Sequence, residues 1–157
     1  MPAGYVPETR AVARWTRAQH RALRAWAESI QVILAALGEE GVRVERVEEA
    51  VRHLKGLLRE LLEHFANEEA ADGFFAEALA RAPRFEVRVL RLQGQHAPLR
   101  AQLEKIVRNA GYAGLSSEAW RAVSESFVDF AEALRAHENA ESRIVAAAFM
   151  EDQGGGG

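Results

Sequence analysis

Apolar residues recur at intervals of three and four along most of the chain, with charged residues between them. This spacing places the apolar side chains on one face of an α-helix. Runs of β-branched residues bounded by turn residues, which are typical of strands, are missing. Ala, Leu, Arg and Glu, which favour helices, dominate instead. The pattern therefore predicts an all-α fold.

Capping residues, glycines and prolines divide this pattern into four long helices and one short helix. The first is predicted to begin with Thr9 as its cap and to end near Leu37, where LGEEG follows. The others are predicted at about 44–72, at FFAEALAR before Pro83, at about 84–109, and from Ser116 or Ser117 to about Met150. Short connections make consecutive long helices antiparallel, so we expect an up-down-up-down four-helix bundle.

The length of the chain limits how many domains it can form. A chain of 157 residues is long enough for one well-packed domain and too short for two ordinary ones. We therefore expect residues 1–150 to form a single four-helix bundle. Residues 151–157, which include four terminal glycines, are expected to form a flexible tail.

Composition and charge narrow the possible partners and the cellular setting. The net charge is −3 and the basic residues are scattered among acids, so we expect no nucleic-acid partner. The absence of cysteine excludes disulfides, thiolate metal sites and cysteine nucleophiles. Neither an apolar leader segment in MPAGYVPETR nor a membrane-spanning run is found, so we expect a cytoplasmic protein with no membrane partner.

Each of the four long helices carries one histidine at a similar height in the predicted bundle. Counting from the same end, these histidines lie roughly 12–20 Å along their helices, within one layer. The four are His20, His64, His96 and His137. The last three lie on clear apolar stripes, whereas the stripe around His20 is weaker.

Two glutamates follow two of these histidines at a spacing of four residues. Glu68 follows His64 and Glu141 follows His137, so each pair shares one helix face. Burying two unpaired carboxylates costs several kcal/mol each, and too few basic residues lie nearby to neutralise both. A bound metal ion would neutralise them and organise the imidazoles. Without a metal, the same residues would form a hydrogen-bonded polar layer.

The ordered motifs resemble the hemerythrin family, specifically the bacterial hemerythrin-like HHE domains. The resemblance covers about residues 15–150 and rests on His20, HFANEE, QHAPL and HENAE. It implies a four-helix bundle that holds a non-heme di-iron centre bridged by an oxo or hydroxo group. The implied nitrogen ligands are His20, His64, His96 and His137, and the implied bridging carboxylates are Glu68 and Glu141. Imidazole and carboxylate ligands suit iron, with manganese or zinc as alternatives.

One position departs from the oxygen-carrying members of the family. They have a fifth histidine four residues after the ligand on the third long helix, where this chain has Arg100. With both carboxylates and one further atom bridging, each metal would be five-coordinate and keep an open position. Two open positions favour activation or redox chemistry over reversible oxygen transport.

The expected function follows from this coordination. We expect a di-iron protein that binds or activates O₂, peroxide or NO, as a sensor, a detoxifier or an oxidase with peroxidase-type activity. No catalytic residue stands out apart from the metal ligands. The alternatives are an iron storage or donation protein and a metal-free helical interaction module.

Two neighbouring residues are candidates for an extra ligand or for a contact that orients one. Glu60 lies four residues before His64 on the same face, and it either orients an imidazole or lies at the solvent edge. Arg100 either pairs with a carboxylate or a bound anion at the site or extends its long stem into water.

Four further residues are predicted to lie outside the centre. Glu69 is about 100° around its helix from Glu68 and is expected to be solvated. Trp15 is about 140° around its helix from His20 and is expected to pack elsewhere. Phe65 is interpreted as local packing, and His53 lies about 16 Å along the helix from His64, too far to join its centre.

Overall fold

The structure is a computed structural model that describes residues 6–150, with side chains from 11 to 149. Its helices confirm the all-α prediction, and the described residues contain no strand. The α-helices are α1 (Val6–Glu39), α2 (Val44–Glu69), α3 (Phe74–Arg81), α4 (Glu86–Tyr112) and α5 (Ser117–Val145). A 3₁₀ turn at Pro83–Phe85 precedes α4, and a π-helical turn at Ala146–Met150 follows α5.

The four long helices pack as the predicted up-down-up-down bundle. Helix α1 packs against α2 and α5, and α4 packs against the same two helices from the opposite corner. The short helix α3 lies in the connection between α2 and α4 and contacts both. Within residues 6–150, none of these helices has a stretch long and apolar enough to cross a membrane.

Several predicted boundaries differ from the observed ones. Helix α1 begins at Val6, so Thr9 lies within the helix and is not its cap. Helix α2 ends at Glu69, because Ala70 has extended backbone dihedral angles. Ser116 is the cap of α5, since its hydroxyl accepts a hydrogen bond from the Ala119 N–H at 3.1 Å. The predicted tail, 151–157, lies outside the described residues.

The turn after α2 fixes the end of the helix that carries Glu68. A Cβ atom at Gly73 would lie only 2.2 Å from the carbonyl oxygen of Asn67 and 2.8 Å from that of Glu68. Glycine is therefore required for the chain to return this closely against the last turn of α2. The close return brings α3 against the end of the bundle where Glu68 lies.

A polar layer separates the apolar core into two clusters. One cluster includes Leu23, Leu61 and Leu134, and the other includes Phe74 and Ile144. On α1, α4 and α5 the candidate ligands lie between residues of the two clusters, and on α2 they follow Leu61 at the end of the helix. The apolar packing on both sides therefore holds the helix positions from which these polar side chains project inward.

Candidate metal centre

The six candidate ligands predicted from the sequence meet in one buried layer. Helix α1 supplies His20, α2 supplies His64 and Glu68, α4 supplies His96, and α5 supplies His137 and Glu141. Both carboxylates are completely buried, and the histidines are no more than 4% exposed. Polar side chains at this depth require partners, because losing hydration without a replacement is costly.

The Nε2 atoms of all four imidazoles face the two carboxylates. His64 Nε2 lies 2.9 Å from Oε1 of Glu68, and His96 Nε2 lies 3.4 Å from the same atom. On the other side, His20 Nε2 lies 3.0 Å from Oε2 of Glu141. His137 Nε2 contacts the Oε1 atom of Glu141. The imidazoles thus converge on two carboxylates at the middle of the bundle.

These side chains form two overlapping groups of four, each compact enough to surround a cation. One group is His20, His64, Glu68 and Glu141, and the other is His96, His137, Glu68 and Glu141. Within each group the potential ligand atoms all lie within 4.8 Å of one another. Both groups contain both carboxylates, so the arrangement suits two neighbouring cations bridged by two glutamates.

Many atoms of this layer make no hydrogen bond of suitable geometry with the described residues, although some of them, such as His64 Nε2 and Glu68 Oε1, lie close together. They include both nitrogens of His64, both carboxylate oxygens of Glu68, the Nε2 atoms of His96 and His137, and Oε1 of Glu141. Each such buried atom costs about 1–3 kcal/mol. All of these atoms except His64 Nδ1 face inward, and cations would satisfy them together, so the residues present fit the metal pair that the sequence predicts.

Two of the histidines, His64 and His96, are biased toward the neutral form that metal binding requires. Burial lowers the pKa of His64 to about 4, and the neighbouring His20, His96 and His137 lower it further against the opposing charge of Glu141. Burial also lowers the pKa of His96, against the raising effect of Glu69. A neutral imidazole keeps a nitrogen lone pair available for a cation.

The pKa values of the two carboxyl groups shift in opposite directions, although burial acts to raise both of them. Burial and the adjacent Glu141 raise the pKa of Glu68 well above its usual value. Burial alone would raise the pKa of Glu141 too, but its close polar contacts with Glu68, His137 and His20 outweigh burial and hold the pKa below its usual range. Without a cation, Glu68 therefore holds its proton to a higher pH than a solvated glutamate does, and a bound metal ion would displace that proton.

Three of the imidazoles make contacts on their outer side. His96 Nδ1 donates to the Glu69 carboxylate at 2.9 Å, and His137 Nδ1 donates to the Gln95 side-chain oxygen at 2.8 Å. These acceptors place the proton on Nδ1, so the inward Nε2 atom carries the lone pair. His20 Nδ1 lies 3.5 Å from the Ser142 hydroxyl.

The contact with Glu69 contradicts the prediction that this residue is only solvated. Its side chain is 41% exposed, yet one carboxylate oxygen reaches the imidazole of His96 on α4. The sequence pattern did not identify Glu69 or Gln95, because each contact crosses between helices. The angular position of a residue on its own helix does not show which side chains of a neighbouring helix it can contact.

We expect Glu69→Ala to weaken metal binding by about 10–100-fold, because His96 would lose the acceptor that fixes its tautomer and orientation. Titration with Co²⁺ against a competing chelator measures the change. Glu69→Gln keeps an acceptor oxygen and should recover part of the affinity, and Glu63→Ala removes an exposed carboxylate from the same helix as a control. Unchanged affinity in Glu69→Ala would show that this contact does not support the centre.

Aromatic rings cover the imidazoles on two sides of the layer. Trp15 stacks on His64 with ring centroids 5.7 Å apart, so the prediction that Trp15 packs elsewhere was wrong. Phe65 stacks on His96 with ring centroids 3.7 Å apart, so it is a direct neighbour of a candidate ligand as well as a core residue. The ring centroid of Phe75 on α3 lies 5.3 Å from that of His96. These rings exclude water from the centre and restrict the imidazole orientations.

The remaining predicted neighbours lie outside this cluster. Glu60 is partly buried and belongs to neither group of four. Arg100 is 58% exposed and pairs with Glu104 on its own helix at 2.6 Å, as expected if its stem extends into water. His53 hydrogen-bonds the Glu49 carbonyl oxygen at 2.8 Å and packs against Trp26, away from the centre.

Glu138 is a buried carboxyl group beside the centre that the sequence analysis did not single out. It is 3% exposed, its Oε1 atom has no hydrogen-bond partner among residues 11–149, and its Oε2 atom lies 4.0 Å from Nη2 of Arg24. Burial raises its pKa to about 7, although His20 and Arg24 oppose the rise. Glu138 lies four residues after Leu134 on the apolar stripe of α5, and this spacing already indicated that its side chain would be buried.

We expect Glu138→Gln to stabilise the metal-free protein at high pH. The raised pKa means that the folded state holds this proton more tightly than the unfolded state. The stability that this bound proton contributes to the folded state is complete below the usual pKa of 4.5 and is lost as pH rises through about 7. The variant should therefore gain about 1–3 kcal/mol over the natural chain at pH 8, and much less at pH 5.

Urea unfolding of the metal-free protein at both pH values measures this gain. Glu132→Gln, at an exposed position of the same helix, is the control and should change little. A gain that is equal at the two pH values would contradict the assigned shift in pKa.

Comparison with known proteins agrees with this site. The family model described as the hemerythrin HHE cation-binding domain matches residues 11–149. Comparisons with curated proteins and with solved structures found no match. The matched residues include the whole polar layer and most of all four long helices. The resemblance predicted from the motifs is thereby confirmed: the chain belongs to the hemerythrin HHE cation-binding domain family.

Proposed function

We propose that this protein holds two iron ions in the polar layer and uses them to bind or activate O₂, peroxide or NO. The observation that carries the proposal is the pair of overlapping ligand groups that share Glu68 and Glu141. Two imidazoles would bind each metal, and the two carboxylates would bridge them. When bound, an iron pair supplies one-electron redox steps and coordination positions for a small ligand.

The number of protein ligands supports binding of a small molecule at the metals. If both carboxylates bridge, the four imidazole nitrogens and four carboxylate oxygens provide eight ligand atoms for two metals. Octahedral ions would use twelve positions, so about four remain for a bridging atom and for exogenous ligands. Arg100 lies on the surface where a fifth histidine would stand, so it closes none of these positions.

The surrounding residues define what such a centre would accept. The ligands are nearly or fully buried, and rings of Trp15, Phe65 and Phe75 pack against two of the imidazoles. Burial of this kind favours diatomic molecules and peroxide over bulky substrates, because little space remains around the ligands. Glu69 and Gln95 keep protons on the outer nitrogens of two imidazoles, which leaves their Nε2 atoms directed inward.

The alternative without a metal explains the buried layer less well. A helical interaction module would have no need for a buried layer whose nitrogen and oxygen atoms lack hydrogen-bond partners within residues 11–149. Iron storage or donation uses the same ligands, and it differs from oxidant chemistry in what happens to the metal. A store releases its iron to a chelator without consuming an oxidant, whereas a redox centre is oxidised and reduced in place.

Anaerobic loading with ferrous iron followed by exposure to an oxidant tests the proposal. We expect two irons per chain by elemental analysis. Addition of O₂ or peroxide should produce oxo-bridge charge-transfer bands, and a reductant should remove them while the iron stays bound. Failure to hold iron after anaerobic loading would contradict the proposed centre. Two bound irons that leave on mild chelation without reacting with any oxidant would favour storage.

A further inference from the structure

A pocket opens between α1 and α5 directly beside the polar layer. Its volume is about 270 Å³, and its walls include Leu23, Arg24 and Ala27 of α1 and Leu134 and Glu138 of α5. The α1 residues follow His20 by one to two helical turns. On α5, Glu138 directly follows His137 and precedes Glu141 by three residues. The pocket therefore borders the His20 and Glu141 side of the candidate centre.

Glu138 connects this pocket to the buried layer. The residue is 97% buried, yet it lines the pocket, and its Oε1 atom has no partner within the described part of the chain. It pairs with Arg24, whose Nη2 atom lies 4.0 Å from Oε2 and whose side chain is 47% exposed. A residue that lines the pocket thus carries one buried carboxylate oxygen that lacks a partner among the described residues, and a positively charged group would satisfy that oxygen.

We propose that this pocket is the uptake route for the metal ions and that Glu138 binds each incoming divalent cation before it reaches His20 and Glu141. This inference rests on the proposed two-metal centre. A hydrated divalent cation needs oxygen ligands while it loses water, and a carboxylate at the inner end of a pocket supplies one. From Glu138, the next carboxylate along α5 is Glu141, one turn further into the layer.

Arg24 controls this carboxylate in the absence of a cation. Its guanidinium provides the positive charge that a buried Glu138 needs, but at 4.0 Å the pairing is loose and the arginine is half exposed. An arriving divalent cation would replace this charge, and the long side chain of Arg24 can then extend into water. Glu138 and Arg24 are therefore expected to act in opposite directions on the rate of metal uptake.

The rate of Co²⁺ uptake by the metal-free, full-length chain tests the proposal. Stopped-flow absorbance follows bound Co²⁺, and elemental analysis after desalting gives the final number of ions per chain. We expect Glu138→Gln to slow uptake about tenfold while the final content stays at two. Arg24→Gln should speed uptake. The control, Glu63→Gln, removes an exposed carboxylate with the same change in net charge and should match the natural chain.

The possible outcomes distinguish a failure of the proposed uptake route from a failure of the proposed metal centre. If the natural chain binds no Co²⁺, the proposed centre fails and the route fails with it. If the natural chain binds two ions and Glu138→Gln loads at the same rate, only the route is overturned, and the opening beside Trp15 and Asn67 becomes the alternative. If Glu138→Gln holds fewer than two ions, Glu138 is a permanent ligand and the transient role is wrong. Slower uptake in Arg24→Gln would also overturn the proposal.

Discussion

Replacing Glu68 with glutamine is expected to abolish binding of the metal pair. Glu68 belongs to both ligand groups, and its Oε1 atom faces His64 and His96 from the two sides. A neutral amide keeps nearly the same shape but loses the negative charge and presents an NH₂ group to the cations. Losing a bridging ligand should affect both metal positions, so we expect fewer than one ion per chain after desalting.

The measurement is metal content together with binding affinity. Ferrous iron and Co²⁺ are each loaded anaerobically into the natural chain and into Glu68→Gln. Glu60→Gln makes the same chemical change on the same helix at a partly buried position outside both ligand groups, so it should keep two ions. Full occupancy in Glu68→Gln would remove Glu68 from the ligand set, and a matching loss in Glu60→Gln would indicate a general effect of charge.

The sequence pattern was sufficient to predict that the six candidate ligands lie together, because they obey helical periodicity. His64 and Glu68 share a face, as do His137 and Glu141, and each of the four long helices contributes one histidine at the same height. These relations depend on spacing within a helix and on the rise per residue, both of which can be counted. The structure brings all six residues together as that counting predicted.

The residues that support the ligands were harder to predict because their contacts cross between helices. Trp15 on α1 contacts His64 on α2, and Glu69 on α2 contacts His96 on α4. On its own helix, each of these two residues lies about 100–140° around the axis from the nearest candidate ligand. Which side chains meet across a helix interface depends on the crossing geometry of the bundle, which sequence spacing does not give. Glu138 is a different case, since its position on an apolar stripe already indicated burial.

The double variant His64→Leu, Glu68→Leu is expected to change stability in opposite directions with and without metal. In the metal-free protein, neither nitrogen of His64 and neither carboxylate oxygen of Glu68 makes a hydrogen bond with any residue that the structure describes. Apolar side chains of similar size relieve this cost, so the metal-free variant should be more stable by about 1–4 kcal/mol. With metal in thousandfold excess over its dissociation constant, the natural chain gains about 4 kcal/mol that the variant cannot gain.

Urea unfolding with a chelator and with excess Zn²⁺, which has no redox chemistry, measures both free energies of unfolding. Leu57→Ala on the same helix is the control, because Leu57 is fully buried in the adjacent apolar cluster. It should lower stability by about 2–5 kcal/mol under both conditions. A double variant that is less stable than the natural chain even without metal would identify the buried layer as a structural network. If the double variant is the more stable protein without metal and the natural chain is the more stable with Zn²⁺, then His64 and Glu68 lower the stability of the empty protein because their arrangement suits a cation.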